Sequence, residues 1–214
     1  MDSTRSYVKQ VYISRNILID YLKNMGYDCG GFENFSIEDI ESMKKYNQLD
    51  FKVTNISTTE NCYILYKLDE SFKQNVVKRN NIEQYIHEIY EEKILIENND
   101  TLVIVTTEYT NESIHKVLKN IWENQKKFIV ILTLANLQIN LLKHTFVPKH
   151  TKLTDEEKVE LYKKYNISED SQIPQISRFD AAAKSIFLRP GQVCKITRYD
   201  KISLMNDYYR ICIS

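Results

Sequence analysis

HTFVPKHTKLTDEEKVELYKKYNISEDSQIPQISRFDAAAKSIFLRPGQVCKITRYDKISLMNDYYR, the stretch from His144 to Arg210, carries the most specific signals in this chain. Val147 precedes Pro148, and a residue before proline is pushed toward extended backbone, so His144 to His150 is expected to be a hinge between two domains. Thr154-Asp155-Glu156-Glu157 has the form of a capping box, the threonine hydroxyl accepting from the N3 amide while Glu157 reaches back. Three acidic residues in that first turn suit the positive end of the helix dipole. The helix is predicted to run to about Tyr165, burying Val159, Tyr162 and Tyr165, or Leu161 and Tyr165, on one face. Asn166 suits the position after the helix because asparagine tolerates left-handed backbone.

Asp180 is expected to cap a short, alanine-rich helix over residues 181–187. Arg189-Pro190-Gly191-Gln192 fits a type II turn, with proline second and glycine third. A strand is expected from Val193 to Tyr199, with residues 208–213 as its hairpin partner. The sum is a small α/β unit of two helices against a short sheet, with no catalytic constellation.

Outward from this stretch, 214 residues allow one large domain or two small ones. Lysine plus arginine equals aspartate plus glutamate at 29 each, but residues 1–143 carry a net −3 and residues 144–214 a net +3. Neither half has the basic footprint of an autonomous nucleic-acid binder. Cys29, Cys62, Cys194 and Cys212 form no CxxC pair, and they read as reduced, mostly buried thiols. His87 and His115 fall on expected helices, and His144 and His150 flank the Val-Pro step. None has visible ligand partners, so no metal and no cofactor are expected. The N-terminus lacks the apolar core of a signal peptide, and the most apolar run, residues 128–135, is too short to span a bilayer. A soluble intracellular protein with no membrane partner is expected. Few glycines and prolines beside abundant Ile, Asn, Lys and Tyr suggest an AT-rich genome, such as that of a large DNA virus or a protist.

In the first half, Val8, Val11, Tyr12, Leu18, Tyr21, Leu22 and Met25 recur at helical spacing, and Gly26 follows as a terminator. A second helix over residues 37–46 begins after Ser36. Strands are predicted at 50–56 and 62–68, a helix at 82–93, a doubly buried strand at 101–107 and an amphipathic helix at 111–124. Residues 128–134 and 137–142 have strand-like composition that periodicity alone does not resolve. Helices and strands in this order fit an α/β domain.

The blocks His144-x-x-Val147-Pro148-Lys149-His150, Leu153-Thr154-Asp155-Glu156-Glu157-Lys158, Lys164-Tyr165-x-Ile167, Gln172-Ile173-Pro174-x-Ile176, Asp180 with Ala183-Lys184, and Gly191-Gln192-Val193-x-Lys195-Ile196-x-Arg198, closed by Tyr209-Arg210, stand in one register. Together they resemble the C-terminal assembly domain of the fifth subunit of eukaryotic RNA polymerases, a family that includes the equivalent archaeal polymerase subunit. Met25-Gly26-Tyr27 is similar to an Arg-Gly-Tyr of the same family, and the pattern before His144 favours a short irregular or helical segment there. The resemblance departs at three points. Ala181 stands where proline is usual, and Phe187 and Leu204 stand where glycine is common. In the first half, Thr110-Asn111-Glu112-Ser113 replaces a usual Thr-Pro-Ser-Ala turn.

The resemblance implies an α/β fold: an N-terminal, restriction-endonuclease-like jaw domain over residues 1–143 and a small α/β assembly domain over residues 144–214. It implies a non-catalytic subunit of a DNA-directed RNA polymerase. The assembly domain would dock on the largest subunit, beside other polymerase subunits, and the jaw would lie near downstream DNA, contacted weakly within the complex. Its place would be the nucleus if cellular, the virion or host cytoplasm if viral. Expected contacts with an acidic partner surface are Pro148, His150, Arg178, Lys184, Arg189, Lys195, Arg198 and Arg210.

Two other functions compete. A metal-dependent nuclease, suggested by the fold likeness, needs an acidic-x-Lys triplet on a strand. Asp50-Phe51-Lys52, Glu91-Glu92-Lys93 and Glu156-Glu157-Lys158 qualify. With 29 acidic residues and 22 lysines in 214 positions, about three are expected by chance, so the triplets carry no weight. A polymerase-independent interaction adaptor would explain the altered hairpin sequence at residues 201–206, but not the intact capping-box and Val-Pro blocks.

Overall fold

The computed structural model describes residues 2–68, 79–91, 100–200 and 204–214. The chain divides into two compact units, Met1–Ile139 and Asn140–Ser214.

In the first unit, α1 (Asp2–Asn24) turns Val8, Val11, Leu18, Tyr21 and Leu22 inward, the three-four spacing of a single buried face. Gly26 follows with φ +85°, a left-handed conformation that glycine adopts without a Cβ penalty. Asn55 locks this end of the helix to the turn between β1 (Phe51–Thr54) and β2 (Asn61–Lys67). Its amide donates to the Met25 carbonyl at 2.8 Å, and its side-chain oxygen accepts from the Ser57 and Thr58 amides. The second helix, α2 (Ile37–Lys45), has a reciprocal capping box between Ser36 and Asp39.

The sheet of this unit has the order β1-β2-β3-β4, with β3 at Thr101–Thr106 and β4 at Phe128–Thr133. β1 and β2 are antiparallel, while β2, β3 and β4 are parallel, with Ile64, Val103 and Val130 in one register row. Every residue of β3 and β4 is buried, the pattern of strands covered on both faces. α3 (Arg79–Glu91) buries Ile82, Ile86 and Ile89. Connecting β3 to β4, α4 (Glu112–Gln125) is capped by Asn111 and buries Ile114, Leu118 and Ile121. After β4 the chain leaves the sheet in a 3-10 turn, Asn136–Gln138. The Thr133 hydroxyl accepts from the Asn136 amide, and the Gln138 side-chain amide returns to the Leu134 carbonyl. Those side chains give the backbone a turn in place of a ladder.

The second unit opens with a 3-10 turn, Leu141–Lys143, capped by Asn140. Leu142 packs against the core of Ile176, Ala183, Leu188 and Ile196, so this unit begins before His144. The expected hinge is only partly a connector, because β5 (Lys149–Lys152) is a strand paired with β7 (Val193–Asp200). The extended backbone imposed by Pro148 is used in that ladder. β8 (Leu204–Ile213) pairs antiparallel with β7, as expected of the hairpin, and β6 (Gln175–Ser177) runs parallel to β8. The order is β5-β7-β8-β6.

Side chains alternate across this sheet. Cys194, Ile196 and Cys212 face the core that includes Ala183 of α6 (Ala181–Ser185). Val193 and Ile211 face the other, against Leu161 of α5 (Asp155–Lys164). The Thr154–Glu157 capping box forms, with hydrogen bonds of 2.8 and 3.2 Å. The expected face of α5 needs correction: Leu161 is buried with Tyr162 beside it, while Val159 and Tyr165 are each 53 % exposed. Asn166 is left-handed at φ +52°. Gly191 takes φ +88°, and the Gln192 amide donates to the Arg189 carbonyl at 3.0 Å, which closes the type II turn. α6 is shorter than expected because Phe187 is itself left-handed, φ +48°. All four cysteines are buried and outside disulfides. Burial raises the thiols of Cys29 and Cys194 to about 11 and that of Cys212 to about 12.

Candidate partner interface

The eight expected contact residues separate by burial. Arg178 is 4 % exposed; its amide donates to the Ile213 carbonyl and its guanidinium lies 5.4 Å from the Phe179 ring. Burial lowers that guanidinium to about 10. Arg189 is also buried, with its amide held by the Gln192 side chain at 3.0 Å. Lys184 is half-buried on α6, where desolvation lowers its ammonium against the pull of Asp180. These three belong to the packing around α6 and the turn that follows.

The other five lie on or beside the sheet. The His150 ring nitrogen Nδ1 is 2.7 Å from the Pro148 carbonyl. A carbonyl only accepts, so Nδ1 is the donor in this hydrogen bond. Lys195 pairs with Asp207 at 2.8 Å, and the Thr197 hydroxyl donates to the same carboxylate at 2.8 Å. These hydrogen bonds hold Lys195 above and Asp207 below their ordinary values. Arg210 donates to the Gln175 carbonyl at 3.1 Å, which ties β8 to β6. Arg198 is exposed, its guanidinium 5.1 Å from the Tyr208 ring. Register and alternation put Lys195 on the α5 face and Arg198 and Arg210 on the α6 face. The basic side chains therefore do not converge on one patch.

Apolar exposure does concentrate. Tyr199, Leu204, Met205 and Tyr208 are 74, 62, 67 and 45 % exposed, all on the β7–β8 hairpin. Beside it, on the α5 face, Leu161, Tyr165, Ile167, Ile173, Pro174 and Tyr209 line a cavity of about 540 Å³. Sequence reasoning missed this surface because it read Tyr199 as the end of a strand and Leu204 and Met205 as part of an altered hairpin sequence, and began the partner strand only at Tyr208.

Among the described residues no three His, Cys, Asp or Glu side chains gather as a metal site needs. The 156–158 triplet lies on α5, and Asp50 accepts from the Tyr66 amide at 2.7 Å, with its carboxyl raised by burial. Nor is any described helix long and apolar enough to cross a membrane.

Residues 139–212 match the family model described as RNA polymerase Rpb5, C-terminal domain. The DNA-directed RNA polymerase subunit Rpo5 of Pyrococcus abyssi is 37 % identical over 76 residues, covering 36 % of this chain and 92 % of the relative. This chain belongs to the RNA polymerase Rpb5 family. The DNA-directed RNA polymerases IV and V subunit 5B of Arabidopsis thaliana is similar over nearly the whole length, 26 % identical across 208 residues, covering 95 % of this chain and 89 % of the relative. The DNA-directed RNA polymerases I, II, and III subunit RPABC1 of Caenorhabditis elegans is 39 % identical over 79 residues, 37 % of each chain. Within this Rpb5-family chain the match coincides with the second compact unit, the β5-β7-β8-β6 sheet between α5 and α6.

Proposed function

We propose that this chain is a non-catalytic subunit of a multisubunit DNA-directed RNA polymerase, anchored through its second unit on the largest subunit. One observation carries the reading. An archaeal polymerase subunit aligns over 92 % of its own length with this chain, in a stretch of 76 residues. The shared family match, residues 139–212, falls on the second unit. A polymerase subunit can thus consist of little more than this unit, and the function common to both belongs there. The first unit is then an addition whose role is separate from anchoring: part of the lower jaw, endonuclease-like in fold and held near downstream DNA. Its net charge of −3 over residues 1–143 suits weak contact made within a complex. The subunit works where its polymerase works, in the nucleus for a cellular enzyme or in the virion or host cytoplasm for a viral one.

Affinity purification of the tagged full chain from its native source tests this. The two largest polymerase subunits are expected at one-to-one stoichiometry, and a chain ending at Ile139 is expected to lose them. Recovery of the polymerase by the shortened chain would move the anchor to the first unit. Recovery of the full chain without polymerase would end the assignment.

A further inference from the structure

α5 covers one face of the second unit's sheet with little apolar contact to hold it there. Of its ten residues Leu161 alone is buried, where a helix packed on a sheet usually buries a whole apolar stripe. Val159 and Tyr165 of the same helix stay exposed. Beneath Leu161 lie Ile173, Val193 and Ile211, with Leu153, Tyr162, Ile167 and Tyr209 partly buried around them. Packing is loosest where α5 ends. A cavity of about 540 Å³, lined by Leu161, Ile173 and Tyr209 among others, borders that end, and so does one of about 570 Å³ along Val159, Tyr162 and Lys163. Asn166 and Ile167 belong to the walls of both.

The chain on either side of α5 is fastened to the rest of the unit. Before it, the Leu153 amide donates to the Val193 carbonyl at 3.0 Å. After it, the Ser168 amide donates to the Gln172 side chain at 2.8 Å, in the 3-10 turn Asp170–Gln172 that leads into buried Ile173. Between these two points the remaining ties are polar. The Tyr162 hydroxyl donates to Asp170 Oδ1 at 2.6 Å. Lys158 Nζ donates to the Gly191 carbonyl at 3.0 Å and lies 3.5 Å from the same Asp170 oxygen. We infer that residues 154–167 form a strap that opens from the sheet as one unit, hinged at Leu153 and Ser168 and latched by the Tyr162–Asp170 hydrogen bond. A helix of ten residues is marginal in water without a surface to pack on, so α5 melts as it leaves. Opening uncovers Ile173, Val193 and Ile211 and widens the 540 Å³ cavity into an apolar groove. The second unit thus has a closed state and a locally opened one, set apart by a few polar contacts.

Hydrogen–deuterium exchange of the full chain, read on peptic fragments, tests this. Amides of residues 158–165 are expected to exchange about tenfold faster or more than those of 193–196 and 209–212 in the β7–β8 ladder. Their exchange should also depend less on urea, because opening exposes less surface than unfolding. Tyr162→Phe keeps the ring and removes the hydroxyl, and Asp170→Asn keeps the size and removes the charge. Each should speed exchange across residues 158–165 by about tenfold, the worth of one hydrogen bond to a charged acceptor. The double variant should be no faster than Asp170→Asn alone, since both changes remove the same bond. The hairpin fragments should not move. Exchange of α5 at the rate and urea dependence of the hairpin would overturn the strap. Variants that speed both fragments equally would overturn it as well, making the bond part of the unit's global stability. Unchanged α5 exchange in both variants would overturn the latch.

Discussion

Phe187 and Leu204 take the same left-handed backbone, φ +48° and +62°, and replacing each by glycine should move stability in opposite directions. A side chain in this region costs about 1–2 kcal/mol relative to right-handed backbone. Glycine removes that cost but adds unfolded-chain entropy of roughly 0.5–1 kcal/mol. At Leu204 the side chain is 62 % exposed, so little burial is lost, and Leu204→Gly should stabilise the second unit by about 0.5–1 kcal/mol. For a unit of this size that raises the midpoint by roughly 2–8 °C. At Phe187 the ring is only 3 % exposed. Loss of a buried phenyl costs about 3–5 kcal/mol, which outweighs the backbone gain and leaves Phe187→Gly destabilised by roughly 2–4 kcal/mol. Calorimetry of the full chain reads both. The single tryptophan, Trp122, lies in the first unit, so its fluorescence identifies which transition has moved. Destabilisation by Leu204→Gly comparable to that of Phe187→Gly would refute the reasoning, since it would mean that backbone strain at these sites is negligible.

Thr154→Ala removes one half of the α5 capping box and should cost about 1 kcal/mol, read as a lower midpoint of the second-unit transition. Gly26→Ala should cost the first unit about 1–2 kcal/mol through backbone alone, because the added Cβ would sit 3.5 Å from Asn55, an ordinary contact; Trp122 fluorescence in urea measures it. The raised thiols of Cys29, Cys194 and Cys212 fix a pH dependence: each contributes stability below the unfolded thiol value, and this is lost as pH rises toward 11 to 12. At about pH 8, a disulfide exchange reagent should modify these three thiols only as fast as the protein unfolds; rapid native-state reaction would contradict their burial.

What was legible in the sequence was what depends on neighbours along the chain. Thr154 with Glu157, Asn166, and Pro190-Gly191 each specify backbone through contacts within three or four residues, and the structure has them. Thr101 to Thr106 is apolar enough to read as a doubly covered strand, whereas Phe128 to Thr133, which periodicity alone left open, is fixed as a strand only by its pairing with β3. β5 and β6, four and three residues long, are strands only because β7 and β8 supply partners from distant sequence. The hinge reading failed at His150 for that reason. Arg178 was misjudged because arginine belongs on surfaces by default, and its burial depends on how the chain after β6 meets β8.

The candidate contact surface was hidden for a related reason. An alternating strand such as Val193 to Asp200 announces which residues share a face, but not where the neighbouring strands stop. Lys195 and Tyr199 share a face; Lys195 lies within the span covered by β5, which ends opposite Thr197, and Tyr199 lies two residues beyond it. The same pattern therefore places one residue in the sheet and the other on a tip open to solvent. Basic composition drew attention to Arg178 and Arg189, which the fold buries, while strand-forming composition disguised the residues it leaves uncovered. Under the proposed docking of the second unit on a partner subunit this inversion has a physical basis. Surface that will be buried in a partner is selected for the chemistry of an interior, so only the geometry of the free chain distinguishes it from the core.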